Sequence, residues 1–210
     1  EIMPSLVGSE MCIRDSYGGA NNYMTWEIET DVVYKPWRFI GVGAGFFFTP
    51  PIDGNKTYSG EARDKNLRWQ IEENRLMYLF AFRSGVYLYS PPVYLNHDHD
   101  VALSFRVSPG VTIPLPPNLS TSVDYVPKDA IIHVPATSGE VSNSHAKACY
   151  YHVKFAMALE VERVSVLLGY TTSDYDLYGG SRNMIVEGQK IELPRKKQAG
   201  TFFIGLTYDF

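Results

Sequence analysis

The sequence predicts an all-β fold: an antiparallel up-and-down transmembrane β-barrel with seven strands visible of an expected eight, the first being cut off. Seven segments place apolar residues at every second position, which in a strand sends them all to one face. The connections between those segments run short, long, medium, long, short, long. No apolar stretch approaches the roughly 18 residues of a membrane helix. Aromatics nonetheless reach 14%, with 15 tyrosines, as suits strands that are only half apolar.

Residues 1–16, EIMPSLVGSEMCIRDS, read as translated sequencing adapter rather than native protein. Met11 to Ser16 is one reading frame of a transposase-end adapter, and Leu6 to Glu10 continues the adjoining primer segment in the same frame. Setting that scar aside leaves 17–210 as a single barrel domain. The counts change with it. Of 19 Lys+Arg and 23 Asp+Glu, removing Arg14 and then Glu1, Glu10 and Asp15 leaves 18 and 20, a net charge of −2. Such a balance offers no footprint for nucleic acid. Only Cys149 of the two cysteines then remains, so no intrachain disulfide is expected, and a buried or lipid-facing thiol is the plain reading.

The first visible strand spans 22–34, with Met24, Trp26, Ile28, Thr30, Val32 and Tyr34 on one face and Glu27, Glu29 and Asp31 on the other. Lys35-Pro36 makes a turn. The strand over 38–48 sets Ile40, Val42, Ala44, Phe46 and Phe48 against Gly41, Gly43 and Gly45, a stripe that makes room for large neighbours inside a narrow barrel. Residues 49–73 form a long polar loop, into which the next strand extends back through Trp69. That third strand, 74–89, opposes Leu76, Tyr78, Phe80 and Phe82 to Arg75, Ala81, Arg83 and Gly85.

A medium turn covers 90–100, and the fourth strand covers 101–113, with Arg106 on its polar face and a bulge or kink expected at Pro109. The longest connection is 114–147, dense in Pro, Ser, Thr and Asn. Strand five, 150–161, carries His152, Lys154 and Glu160 opposite six apolar residues. Glu162-Arg163 is a minimal turn, strand six covers 164–172, and a third long loop covers 173–199. The last strand, GTFFIGLTYDF over 200–210, ends on an aromatic, with Tyr208 and Phe210 closing its apolar face.

This ending, the alternation and the unequal turns together resemble the small outer-membrane β-barrel, porin-like proteins common in Bacteroidetes. The resemblance implies an outer-membrane location, with Tyr208 and Phe210 as an insertion signal read by the barrel-assembly machinery, and outer-membrane lipid and lipopolysaccharide as partners. It puts the short turns in the periplasm and the long loops outside, where a small solute or surface ligand would bind. It implies no particular substrate.

The polar face would line the lumen, with Glu27, Glu29, Asp31, Arg83, Arg106, Lys154 and Glu160 as a packed salt-bridge network rather than an ion path. A soluble lipocalin-like ligand-binding barrel is the alternative fold, but its calyx would have to bury all those charges. No cofactor and no metal are expected: His97 and His99 lie two apart in a turn without a third ligand. The function expected is non-enzymatic, either structural and surface-binding or narrow solute transport. An outer-membrane lipid-modifying enzyme is the alternative, against which stand the lack of a His-x-Ser pair and of evident partners for His133, His145 and His152.

Overall fold

The computed structural model describes residues 5–7, 12–15, 26–49, 56–98, 100–128, 134–143, 146–193 and 200–209. Among these lie sixteen strands and no α-helix. In chain order they are β1 (Ser5–Val7), β2 (Cys12–Asp15), β3 (Trp26–Trp37), β4 (Ile40–Phe48), β5 (Thr57–Glu61), β6 (Leu67–Glu72), β7 (Phe80–Tyr89) and β8 (Val93–Tyr94). They continue as β9 (Val101–Leu115), β10 (Ser120–Pro127), β11 (Thr137–Ser142), β12 (Tyr150–Val161), β13 (Val164–Ser173), β14 (Ile185–Val186), β15 (Gln189–Lys190) and β16 (Thr201–Tyr208).

A ring of antiparallel pairs builds the barrel. β3 pairs with β4, β4 with β7, β7 with β9, β9 with β12, β12 with β13 and β13 with β16. β2 joins β16 to β3 and completes the ring, with Phe202 opposite Asp15 and Glu29 opposite Cys12. The expected seven strands are therefore β3, β4, β7, β9, β12, β13 and β16. The eighth position, expected from residues ahead of the chain, is filled by residues 12–15. Backbone pairing accounts for this, because an open edge accepts any extended segment that offers N–H and C=O groups.

Several boundaries move. β3 runs on through Lys35 and Pro36 to Trp37, with one extra residue between Tyr34 and Trp37, so the turn is Arg38-Phe39. The bulge expected at Pro109 is absent. Its strand keeps one register with β12 from Tyr150↔Thr112 to Val161↔Val101. Toward β7 the ladder lapses between Gly85↔Gly110 and Leu88↔Val107 and resumes unshifted, so the missing proline N–H leaves the register intact. At Glu162-Arg163 the minimal turn is present, with Glu162 in the left-handed region at φ 53°.

Each of the seven expected strands sends its apolar face outward. Phe46, Phe80, Phe105, Phe155, Leu168, Ile204 and Leu206 are exposed, and Phe202 and Tyr151 are 68% and 69% accessible. Exposed Tyr34, Trp37, Tyr94 and Tyr208 ring the short-turn end, while Tyr151 and Tyr170 stand nearer the other. Such an apolar belt with aromatic girdles is the surface of a transmembrane barrel and the inverse of a lipocalin-like calyx. The inward face is not wholly polar: Leu167, Phe203 and Ala158 pack together inside it.

The three long connections are not loops in the sense expected. β5, β6, β10 and β11 form a separate four-stranded antiparallel sheet in the order β11-β10-β6-β5, and β14 and β15 make a small hairpin. β6 does not extend into β7 through Trp69, because the 3-10 turn Glu73–Leu76 breaks the chain between them. The cause is a short alternation inside polar sequence: Trp69 and Ile71 on β6, and Thr121 and Val123 on β10, are buried while their neighbours face out.

The glycine stripe of β4 is a close approach. A Cβ on Gly43 would lie 2.7 Å from the Tyr87 ring and 2.9 Å from Val33, and one on Gly45 would lie 2.5 Å from the Asp31 backbone. Gly45→Ala is therefore expected to lose about 1–3 kcal/mol, as overpacking does elsewhere. Urea unfolding in detergent, followed by the shift from compact to extended migration on unheated gels, checks it.

Candidate functional site: the filled lumen and its cap

The inward residues of β3 start the site, since a strand that alternates puts Glu27, Glu29 and Asp31 on one side, and all three are buried. Glu29 is the hub. Its Oε2 accepts from Arg83 Nη1 at 2.7 Å and its Oε1 from Lys154 Nζ at 2.6 Å, joining β3 to β7 and to β12 across the lumen. Lys154 also lies 3.7 Å from Asp31, whose carboxylate accepts the Tyr87 hydroxyl. Arg83 donates through Nε to Thr112 at 3.3 Å, and Thr112 meets His152 Nδ1 at 2.9 Å. The Arg83 guanidinium stacks 4.0 Å over the Phe47 ring.

A second tier lies toward the short turns. Arg106 reaches Glu160 at 3.4 Å, Ser165 at 3.3 Å and Thr207 at 3.5 Å, touching three further strands. Ser104 donates to the same Glu160 oxygen. Glu160 is the least enclosed of the set, with its side chain 33% accessible, while Arg106 and Lys154 are buried. Lys35 lies 3.8 Å from Asp209 at the rim. Each of the seven lumen residues expected from sequence is thus inward. Glu29, Asp31, Arg83 and Lys154 are joined in the first tier, and Arg106 and Glu160 in the second. Glu27 is buried on the same inward face of β3 as Glu29 and Asp31.

Tyr208 is outward and exposed at the short-turn end, opposite Val164. Phe210 and His99 lie outside the described residues, as do His133 and His145. His97 is exposed in its turn, and among the described residues no group of three or more His, Cys, Asp or Glu side chains gathers to hold a metal. His152, expected to lack a partner, has one in Thr112. Cys149 is exposed just ahead of β12 rather than buried.

The other end of the lumen is covered by the cap, which sequence reading missed. Its core joins Trp69, Ile71, Leu76, Met77, Tyr78, Val123, Tyr175, Tyr178, Met184 and Val186 to Phe47, Ala81 and Tyr150, the uppermost inward residues of β4, β7 and β12. Tyr175 packs edge-on against Phe47 and Tyr150, with centroids 5.4 and 5.1 Å apart. Polar ties bind the three connections to one another. Ser181 donates to Leu76 O at 2.8 Å, Asn143 to Gly180 O at 2.7 Å, Tyr125 to Glu187 at 2.9 Å, and the Tyr178 hydroxyl to buried Glu73. The signal that would have found this cap is the pair of short alternating runs around Trp69 and Val123.

Fold and site together define a transmembrane antiparallel barrel with charged residues paired across its interior and a structured cap over one mouth. No family model and no curated protein matches the chain. Among solved structures, two crystal structures of Ail, the attachment invasion locus protein of Yersinia pestis, align over 99% of this chain and 97% of that one. One of them is a complex with the heparin analogue sucrose octasulfate. Sequence identity is 10% in both, with TM-scores of 0.34 and 0.33.

Two outcomes are expected from this geometry. Glu29→Gln removes the carboxylate that Arg83 and Lys154 share, leaving Lys154 only its longer contact to Asp31, and should destabilise the barrel by about 3 kcal/mol, read from the urea midpoint. At the cap, burial first and the Asp176 carboxylate second push the Tyr78 phenol from 10.0 up to about 12. The unfolded chain releases that proton near pH 10 while the folded one holds it, so stability is full below pH 10 and falls between 10 and about 12. Thermal unfolding against pH, with Tyr78→Phe removing that part of the slope, checks the sign.

Proposed function

We propose that this protein is a non-conducting, non-enzymatic outer-membrane barrel whose work is done by the capped end, displayed on the cell surface as a rigid binding or structural platform. One observation carries the reading: ion pairs cross the lumen from β3 to β7 and β12, and an apolar core covers the mouth above them. An eight-stranded barrel has an interior just wide enough for side chains to fill, so contacts of this kind favour a closed lumen over a water path. The orientation proposed puts the short turns Arg38-Phe39 and Glu162-Arg163 in the periplasm and the cap outside, as the general asymmetry of such barrels favours. Tyr208 and Phe210 would then serve as the insertion signal, and lipid, lipopolysaccharide and the assembly machinery as partners. Specificity for any surface ligand would lie on the outer face of the β11-β10-β6-β5 sheet, where Arg75 braces Ser122 and Asp124 at 2.9 Å each.

Reconstitution in planar bilayers tests this. The expected result is a folded, inserted protein without discrete conductance steps, and protease added to whole cells should clip only cap segments. Stable, reproducible steps that survive in the wild type and change with Glu29→Gln would overturn the non-conducting reading.

A further inference from the structure

The outward face of β3, β4 and β7 is interrupted by a dent of about 360 Å³. Its floor is Ala44 and Gly45, Thr30 and Val32 stand on one side, and Phe46 and Phe82 form a ridge on the other, meeting edge to face at 5.5 Å. Asp31 adds backbone to the floor, its carboxylate being turned inward to Tyr87 and Lys154. Ser84 lies opposite Ala44, so the small residues continue onto β7.

Two hydroxyls, Thr30 and Ser84, thus flank the dent within the apolar belt. Among the described residues neither makes a hydrogen bond. Thr30 is four positions from the girdle residue Tyr34, and along a tilted strand that is about 10 Å, too deep for water or for the ester carbonyls of lipid. The two hydroxyls also lie at similar heights. Tyr150 at the capped mouth is in register, through Thr112 and Arg83, with Gly45, two residues below Phe47 at the same mouth. The rows of paired residues therefore climb from β4 toward β12, which brings Ser84 closer in height to Thr30 than Phe82 is.

A hydroxyl at that depth is costly without a partner, and hydrocarbon offers none. Small residues there let two backbones approach closely. We propose that this face is the interface of a homodimer. A twofold axis along the membrane normal sets the ridge of Phe46 and Phe82 on each barrel against the dent of the other, and brings Thr30 of each toward Ser84 of the other. One patch serves both copies because ridge and dent lie side by side on it. The proposal rests on the membrane reading above and adds a partner to it.

The test uses the whole chain in phosphatidylcholine vesicles, with donor and acceptor dyes on Cys149 in a Cys12→Ser background. Wild type should associate reversibly, with energy transfer falling as lipid is added. Ala44→Phe fills the dent, while Thr30→Val combined with Ser84→Ala removes both hydroxyls and leaves the dent open. Each should raise the dissociation constant roughly tenfold, the order expected for lost packing and polar contacts between membrane segments. Val166→Phe, across the ring on β13, should leave it unchanged. If Ala44→Phe does not refold, the double variant alone decides. Monomers at every lipid ratio, or a dimer that the double variant holds as tightly as wild type, overturn the interface. A dimer weakened equally by Val166→Phe does so too. Failure of the wild type to insert at all would sink the membrane reading itself and the interface with it.

Discussion

A sheet can cross hydrocarbon only by closing on itself, because each unpaired backbone N–H or C=O there costs several kcal/mol. That constraint governs this chain more than any single side-chain contact. It explains why β3 and β16, the two strands that would otherwise be edges, both find a partner in β2. The partnership is made by main chain, so it is indifferent to whether Cys12–Asp15 carries the apolar and polar alternation of its neighbours. Closure at this strand number also fixes the bore. Only a stripe as small as Gly41, Gly43 and Gly45 lets Val33, Tyr87 and Asp31 share the space facing β4.

The cap follows from the same ring. Strands β4, β7 and β12 end at the capped mouth on inward apolar residues, Phe47, Ala81 and Tyr150. Left open to water, these would be a hydrophobic rim around a charged well. The connections above them are long enough to fold back, and they bring Trp69, Val123 and Tyr175 onto that rim. The barrel's top layer therefore doubles as the floor of a second core. Hydrogen bonds from Asn143 to Gly180 and Arg182, and from Tyr178 to Glu73, then link connections that are remote in sequence.

The barrel was legible because its signal is long and periodic. Over Tyr150–Val161 the alternation runs unbroken, and the strand ends match the sequence reading to the residue. The cap was not legible in the same way. β6 and β10 carry only two or three alternating core residues each, inside stretches whose Pro, Ser and charge content reads as loop. Pro109 misled for a different reason: a proline costs a strand one N–H, and in this barrel the ladder toward β7 lapses beside it while the register with β12, where Val153 is its partner, holds. For the lumen, inward direction follows from period two alone. Which charge meets which does not, since Glu29 and Lys154 are 125 positions apart and are brought together only by ring closure.

Buried ion pairs are a poor source of stability, since desolvation consumes most of the attraction. Their value in this barrel is better sought in register. A strand shifted by one residue exchanges its two faces, and in a wholly apolar interior that exchange would go unpunished. In this chain it would carry Glu27, Glu29 and Asp31 into lipid together and bring Ile28, Thr30 and Val32 inward against Arg83 and Lys154. A cation on the lipid face costs about 2–4 kcal/mol at the bilayer midplane, and a carboxylate somewhat less, so three at once outweigh any gain from misplaced pairing. The charged lumen thus makes one orientation of each strand far better than the other, and a barrel whose closing strand spans only Cys12–Asp15 depends on its seven other strands for that discrimination.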